Sequence, residues 1–191
     1  LATGLLHSGN REDILITKNG GTSWNSSFYE LSMSPPQYLN SIDLFSTRGI
    51  AVGNNGHIVR SEDSGNSWNI INKSSGLLRD VKFVTVDTVI AVGENLIVRS
   101  VDGGASWTWT NQTGSFKNVT CVNNLVYIGI NGNTMLKSVD HGTTFTTLNL
   151  PFNYQGVLYL VNKNTLLAAG TDGVYVSKND GITWGKYILP S

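Results

Sequence analysis

One eight-residue pattern, S/T-x-D/N-x-G-x-S/T-W/F, occurs five times without a gap and constrains this chain more than any other feature. It spans Thr17–Trp24, Ser61–Trp68, Ser100–Trp107, Ser138–Phe145 and Ser177–Trp184, and its closing aromatics lie 44, 39, 38 and 39 residues apart. Each copy reads as a hairpin turn. The third-position Asp or Asn (Asn19, Asp63, Asp102, Asp140, Asn179) is suited to accept backbone N–H groups two residues on. The fifth-position glycine (Gly21, Gly65, Gly104, Gly142, Gly181) supplies a positive φ. The aromatic (Trp24, Trp68, Trp107, Phe145, Trp184) is expected beneath the turn, pinning it to the sheet. That assigns four of the chain's five tryptophans to structure.

A period near 40 residues suits four short strands and their turns, one blade of a β-propeller. Apolar alternating runs precede each box, as in Ile58-Val59-Arg60 and Ile97-Val98-Arg99. Before those come runs ending near glycine, as in Ile50-Ala51-Val52-Gly53 and Ile90-Ala91-Val92-Gly93. Asn/Gly turns such as Asn54-Asn55-Gly56 and Asn131-Gly132-Asn133 join the two as hairpin signals. Inner strands are expected over 38–46, 77–86, 116–123 and 156–162. The fold class is therefore all-β, a propeller of four-stranded antiparallel blades over 1–35 (incomplete), 36–74, 75–113, 114–150 and 151–191. The first blade leaves no residues for an inner strand. Five consecutive blades of a six- to eight-blade ring are favoured over a closed five-blade ring, because exposed strand edges invite pairing.

Composition narrows the function. Thirteen basic residues balance thirteen acidic ones, charged residues make up only 14%, and no Lys/Arg run exists, which argues against a nucleic-acid partner. No stretch is long and apolar enough for a transmembrane helix. The single Cys121, in an apolar alternating stretch, reads as a buried core thiol. The opening Leu1-Ala2-Thr3 carries no initiator Met and no signal peptide, as expected of a mature form or a cut-out segment.

The boxes, and the G-x-I-x-R-S-x-D-x-G-x-S-W form of 56–68, resemble the BNR/Asp-box repeat superfamily over nearly the whole chain. They are most similar to photosystem II assembly-factor-like propellers, also found as repeats in large secreted bacterial proteins. The resemblance implies the propeller fold, and it extends equally to sialidases, xyloglucan-degrading glycosidases, sortilin-type receptors and noncatalytic assembly factors. Function therefore rests on sites.

A sialidase site would need three convergent arginines, introduced by a Phe/Tyr-Arg-Ile-Pro motif that is absent. Arg60 and Arg99 recur one place before a box, as does Lys137, so they belong to the repeat. Asp43 and Asp80 fall on or beside expected inner strands and are the one pair that arithmetic leaves open for a glycosidase. His7, His57 and His141 are isolated, with His141 at a free position of its box, and no phosphate loop or zinc spacing occurs. Each box offers one carboxylate or amide, too few for a calcium site. No catalytic residue, cofactor or metal is expected.

What remains is a noncatalytic binding or scaffold module of a secreted or surface-exposed bacterial protein, with a protein or glycan partner. Its partner face would be the end opposite the boxes, over Ser32–Tyr38, Asn54–His57, Asn72–Gly76, Asn111–Phe116, Pro151–Gln155 and Asp172. Tyr38, His57, Phe152, Tyr154 and Asp172 are the candidate contacts, Phe152 and Tyr154 as exposed aromatics able to stack or grip. The competing reading of those two is as seals between blades. The enzyme alternative is a glycosidase segment whose catalytic residues lie mostly elsewhere.

Overall fold

The computed structural model describes residues 2–8, 11–29, 38–72 and 76–187. Sixteen strands run through them: β1 (Ala2–Ser8), β2 (Arg11–Thr17), β3 (Asn25–Tyr29), β4 (Leu39–Phe45), β5 (Arg48–Gly53), β6 (Ile58–Ser61), β7 (Asn69–Asn72), β8 (Leu78–Phe83), β9 (Val89–Ser100), β10 (Thr108–Val122), β11 (Leu125–Ile130), β12 (Gly132–Ser138), β13 (Thr146–Asn162), β14 (Thr165–Gly170), β15 (Gly173–Ser177) and β16 (Gly185–Tyr187). A 3-10 turn over Asn54–Gly56 is the one helical element among the described residues. All pairing is antiparallel between sequence neighbours, in sheets β1–β3, β4–β7 and β8–β16.

The third sheet is long because three strands serve twice. In β9, Leu78 pairs Gly93, while Ile97–Arg99 pair Thr110–Thr108, so the strand is bent through Glu94 and Asn95. β10 pairs β9 through Thr108–Asn111 and β11 through Phe116–Val122. β13 likewise pairs β12 at 146–149 and β14 at 154–162. The outer strand of one repeat unit thus continues directly into the inner strand of the next.

The core is a series of layers between successive units. Ile14 packs with Leu39, Ala51, Val59 and Trp68. Ile50, Val52 and Ile58 pack with Leu78, Val81 and Phe83. Ile90, Val92 and Ile97 meet Phe116, Val119 and Ile128, and Tyr127 and Met135 meet Phe152, Tyr154, Leu158 and Leu160. Along β5 and β9, alternate residues enter opposite layers, so both sheet faces are dry. That explains the continuous apolar runs Ile50–Val52 and Val89–Val92.

The expected strands are present, the inner ones trimmed to Leu39–Phe45 and Leu78–Phe83. Two expectations are overturned. Phe152 (6% exposed) and Tyr154 (1%) are core residues, not exposed aromatics. They lie on β13 with Pro151, Asn153 and Gln155 facing out between them. Phe152 stacks on Tyr175, and the Tyr154 hydroxyl donates to Asn118 of the preceding unit. The sealing role is the correct one. His57 is also fully buried, at the end of the Asn54–Gly56 turn, so its ring is no surface contact.

Candidate functional site: the loop rim and the axial carboxylates

The box turns account for the conspicuous polar residues. In each, the first-position hydroxyl (Thr17, Ser61, Ser100, Ser138, Ser177) donates to the third-position side chain and accepts the fifth-position glycine N–H at 2.8–2.9 Å. The third-position Oδ1 accepts the seventh-position N–H at 2.9–3.0 Å. The span is therefore four residues, not the expected two, because a second left-handed residue at the fourth position widens the turn. Asp63, Asp102 and Asp140 also accept the seventh-position hydroxyl, whereas Asn19 and Asn179 donate to it. The Trp68, Trp107 and Trp184 indoles donate to the box glycine carbonyl at 3.0–3.1 Å.

The fourth position, which looked free in the sequence, joins elements through its backbone. Its N–H donates to the turn between inner strands: Ser64 to Thr47, Gly103 to Asp87, His141 to Asn124, Asp180 to Asn164. Its carbonyl accepts a cation of the preceding unit, Arg60 Nε to Gly103 at 2.8 Å and Arg99 Nε to His141 at 3.2 Å. Lys137 instead pairs with the Asp180 carboxylate. The recurring cation before the second, third and fourth boxes is thus an inter-unit tie.

These bonds set a pH dependence. The Ser67 hydroxyl and N–H hold Asp63 down at about 2, against an ordinary 3.8. Burial pushes Asp102 up, but Ser106 and Ser100 outweigh it and bring it to about 2. Asp140 is lowered further, first by the Thr144 N–H. A depressed folded-state pKa gives stability that is present above the unfolded value and lost as pH falls through the folded one. The melting temperature should therefore drop between about pH 4 and pH 2. Asp63→Asn/Asp102→Asn/Asp140→Asn, which mimics the two natural Asn boxes, should flatten that drop in a calorimetric pH series. An unchanged slope would refute the assignment.

The inner-strand carboxylates are committed to inter-unit bonds. Asp43 accepts Lys82 Nζ at 3.0 Å and the Phe83 N–H at 2.8 Å. Asp80 accepts the Ser41 hydroxyl at 2.6 Å and the Val119 and Val81 N–H groups at 2.9 and 3.0 Å. Burial nonetheless raises the Asp80 pKa, with those hydrogen bonds opposing it. Cys121 donates to the Phe83 carbonyl, and burial pushes its thiol up to about 11, far from thiolate reactivity. Among the described residues no cluster of His, Cys, Asp and Glu is arranged to hold a metal.

The end opposite the boxes is a rim of paired loops. Each turn after a second strand is bound to the loop entering the same unit: Asn54 N–H to Tyr38, Glu94 to Leu77, Asn131 to Ser115 and Thr171 to Asn153, at 2.8–3.0 Å. Tyr38, Asn55, Glu94, Asn95, Asn131, Asn153 and Asp172 are exposed there. Arg79 Nη1 bonds Glu94 at 2.6 Å, with the Ser115 hydroxyl on the same Glu94 oxygen. Asp172 is held by Tyr175 and by Lys186 at 2.9 and 2.8 Å. Of the candidate contacts, the structure thus leaves Tyr38 and Asp172 at the surface. Ser32–Gln37 and Lys73–Ser75 lie outside the described residues. Of the exposed asparagines, Asn55 and Asn153 lie in segments that the sequence places on the partner face, whereas Asn95 and Asn131, each two places after the glycine of its run, do not.

No family model matches the chain, and no curated protein matches it. Solved structures do. YCF48 bound to a D1 peptide superposes with a TM-score of 0.75 at 20% identity, covering 98% of this chain and 65% of that one. YCF48 from Cyanidioschyzon merolae gives 0.65 at 15%, covering 95% and 70%. The GH74 xyloglucanase from Xanthomonas campestris gives 0.70 at 18%, covering 95% of this chain and 29% of the enzyme. The chain therefore spans just under two thirds of the first of these and less than a third of the xyloglucanase. At these identities the likeness speaks for architecture, and the antiparallel units, their layered core and these neighbours together make the fold a β-propeller, similar to YCF48 and to the GH74 enzyme alike.

Proposed function

We propose that this propeller is a noncatalytic binding module that engages a protein partner through the loop rim opposite the boxes. The observation that carries this reading is the engagement of Asp43 and Asp80, the carboxylates best placed by sequence for glycosidic chemistry, in bonds between neighbouring inner strands. A general acid and its partner must face substrate instead. The rim suits an extended peptide, because its exposed asparagines each offer both a donor and an acceptor to backbone amides. Its loops are fixed by backbone hydrogen bonds, so little ordering cost accompanies binding. The neighbour solved with a D1 peptide supports this choice of partner class. A role on a secreted or surface-exposed bacterial protein fits the neutral, charge-poor composition.

Peptide and glycan arrays probed with the chain test the reading. Peptide capture weakened at least about tenfold by Tyr38→Ala or Glu94→Lys, with the melting temperature of each variant within about 2 °C of the parent, is the expected result for surface contacts. Capture indifferent to both changes would remove the rim as the site. Glycan capture without peptide capture would overturn the partner class.

A further inference from the structure

The groove between the third and fourth units departs from the interfaces on either side of it. Where the second unit meets the third, Ile71, three residues after its box aromatic, and Trp107 both pack into the shared layer. Where the fourth meets the fifth, Leu148 and Trp184 do the same. Between the third and fourth the corresponding pair is Thr110 and Phe145. A hydroxyl and a smaller ring thus replace a branched alkyl chain and an indole, and a cavity of about 390 Å³ lies there. Arg99, Thr108, Thr110, Gln112, Thr143 and Phe145 line it, beside Gly142.

The cation of this interface also differs from the other two. Arg60 gives Nη2 to Glu62, the second residue of its own box, at 2.8 Å, and Lys137 pairs with Asp180, the fourth residue of the next box. At those two places Arg99 has Val101 and His141. Its Nε is fixed on the His141 carbonyl, and among the described residues no carboxylate pairs with its guanidinium. A guanidinium anchored through Nε keeps its two Nη groups as a fork that suits a carboxylate.

The other groups select the rest of the ligand. The Thr143 hydroxyl already donates to the Asp140 carbonyl, so toward a ligand it accepts. Thr108 and Thr110 share one face of β10, in register with Arg99 and Ile97, and with Gln112 they can both donate and accept. Phe145 lacks the N–H that Trp68, Trp107 and Trp184 give to their box glycine carbonyls, so the Gly142 carbonyl has no such donor. Hydroxyls, an amide, an aromatic ring and a guanidinium match a hydroxylated ring that carries a carboxylate. A peptide fits less well, because the main chains of β9 and β10 are paired with each other along this wall.

We propose that this groove binds a sugar acid, its carboxylate on Arg99 and its hydroxyls on Thr108, Thr110, Gln112 and Thr143. The site lies on outer strands, apart from the axial carboxylates, and the inference is independent of the rim reading.

An NMR-detected titration of the chain with glucuronate tests it, beside glucose and a glutamate-containing tripeptide. Expected is glucuronate binding at least about tenfold tighter than glucose binding, weakening as salt is raised. Arg99→Gln should reduce it about tenfold or more. Thr110→Ile, which restores the alkyl group of the second unit and fills the groove, should abolish it with a melting temperature no lower than the parent's. Tighter binding of a glucuronate-containing oligosaccharide would assign the acid to a glycan chain, and equal affinity would assign it to a free sugar acid; both agree with the proposal. Equal binding of glucuronate and glucose, binding of neither, tighter binding of the tripeptide, or glucuronate binding retained by Thr110→Ile would overturn it.

Discussion

Tyr154→Ala is expected to destabilise the protein by about 3–5 kcal/mol, the usual cost of removing a large buried aromatic. For a chain of this size that corresponds to a melting temperature lower by roughly 10 °C. Tyr154 joins two units: its ring covers Gly129 of one and its hydroxyl donates to Asn118, while its own strand belongs to the next. Burial, and then the nearby Asp80, raise the phenol's pKa, so it stays a neutral donor. Tyr154→Phe, which keeps the ring and leaves the Asn118 oxygen short of one donor, should cost only about 1–2 kcal/mol. Phe152→Ala should resemble Tyr154→Ala, because it removes the stack on Tyr175 and the edge contact with Trp184. Denaturant unfolding decides the matter. Unchanged midpoints for the alanine variants, with a lost partner, would return both aromatics to the surface.

Gly93→Ala is expected to be worse, abolishing folding or costing more than about 4 kcal/mol, a loss reserved for steric conflict or a broken network. The entering loop crosses directly over Gly93, so an added methyl would overlap the Leu77 carbonyl oxygen and crowd the Leu78 Cα. Both are backbone atoms, and the Glu94 N–H to Leu77 bond prevents the loop from moving aside. Gly53, with the Tyr38 carbonyl above it, should behave alike. Gly185→Ala is the control, since nothing lies within 4 Å of its added methyl. It should stay within about 0.5 kcal/mol of the parent. Soluble expression and unfolding of the three variants would show whether close backbone approach, rather than turn conformation, fixes these glycines.

The sequence made the architecture legible because one turn recurs: the boxes mark the strand boundaries, and the Asn/Gly turns mark the rest. It was less informative where a role belongs to the backbone. His141 seemed free because its side chain is, yet its N–H and carbonyl each bond another element. Pro151–Gln155 resembled a loop by composition, while its alternation of buried Phe152 and Tyr154 with exposed neighbours is the period of a half-buried strand. Weighting that period above the proline and asparagines would have placed both aromatics inside. Asp43 and Asp80 could be assigned to inner strands from pattern, but their partners lie 39 or 40 residues away, one repeat on or back. No local window reveals such a pairing.

The central claim is that these axial carboxylates hold units together and perform no chemistry. It is tested most directly by incubating the chain with xyloglucan oligosaccharides and sialosides and following the products by mass spectrometry, beside Asp43→Asn and Asp80→Asn variants. The account predicts intact glycans in every sample and lower unfolding midpoints for the two variants. Cleavage products that disappear in either variant would contradict it.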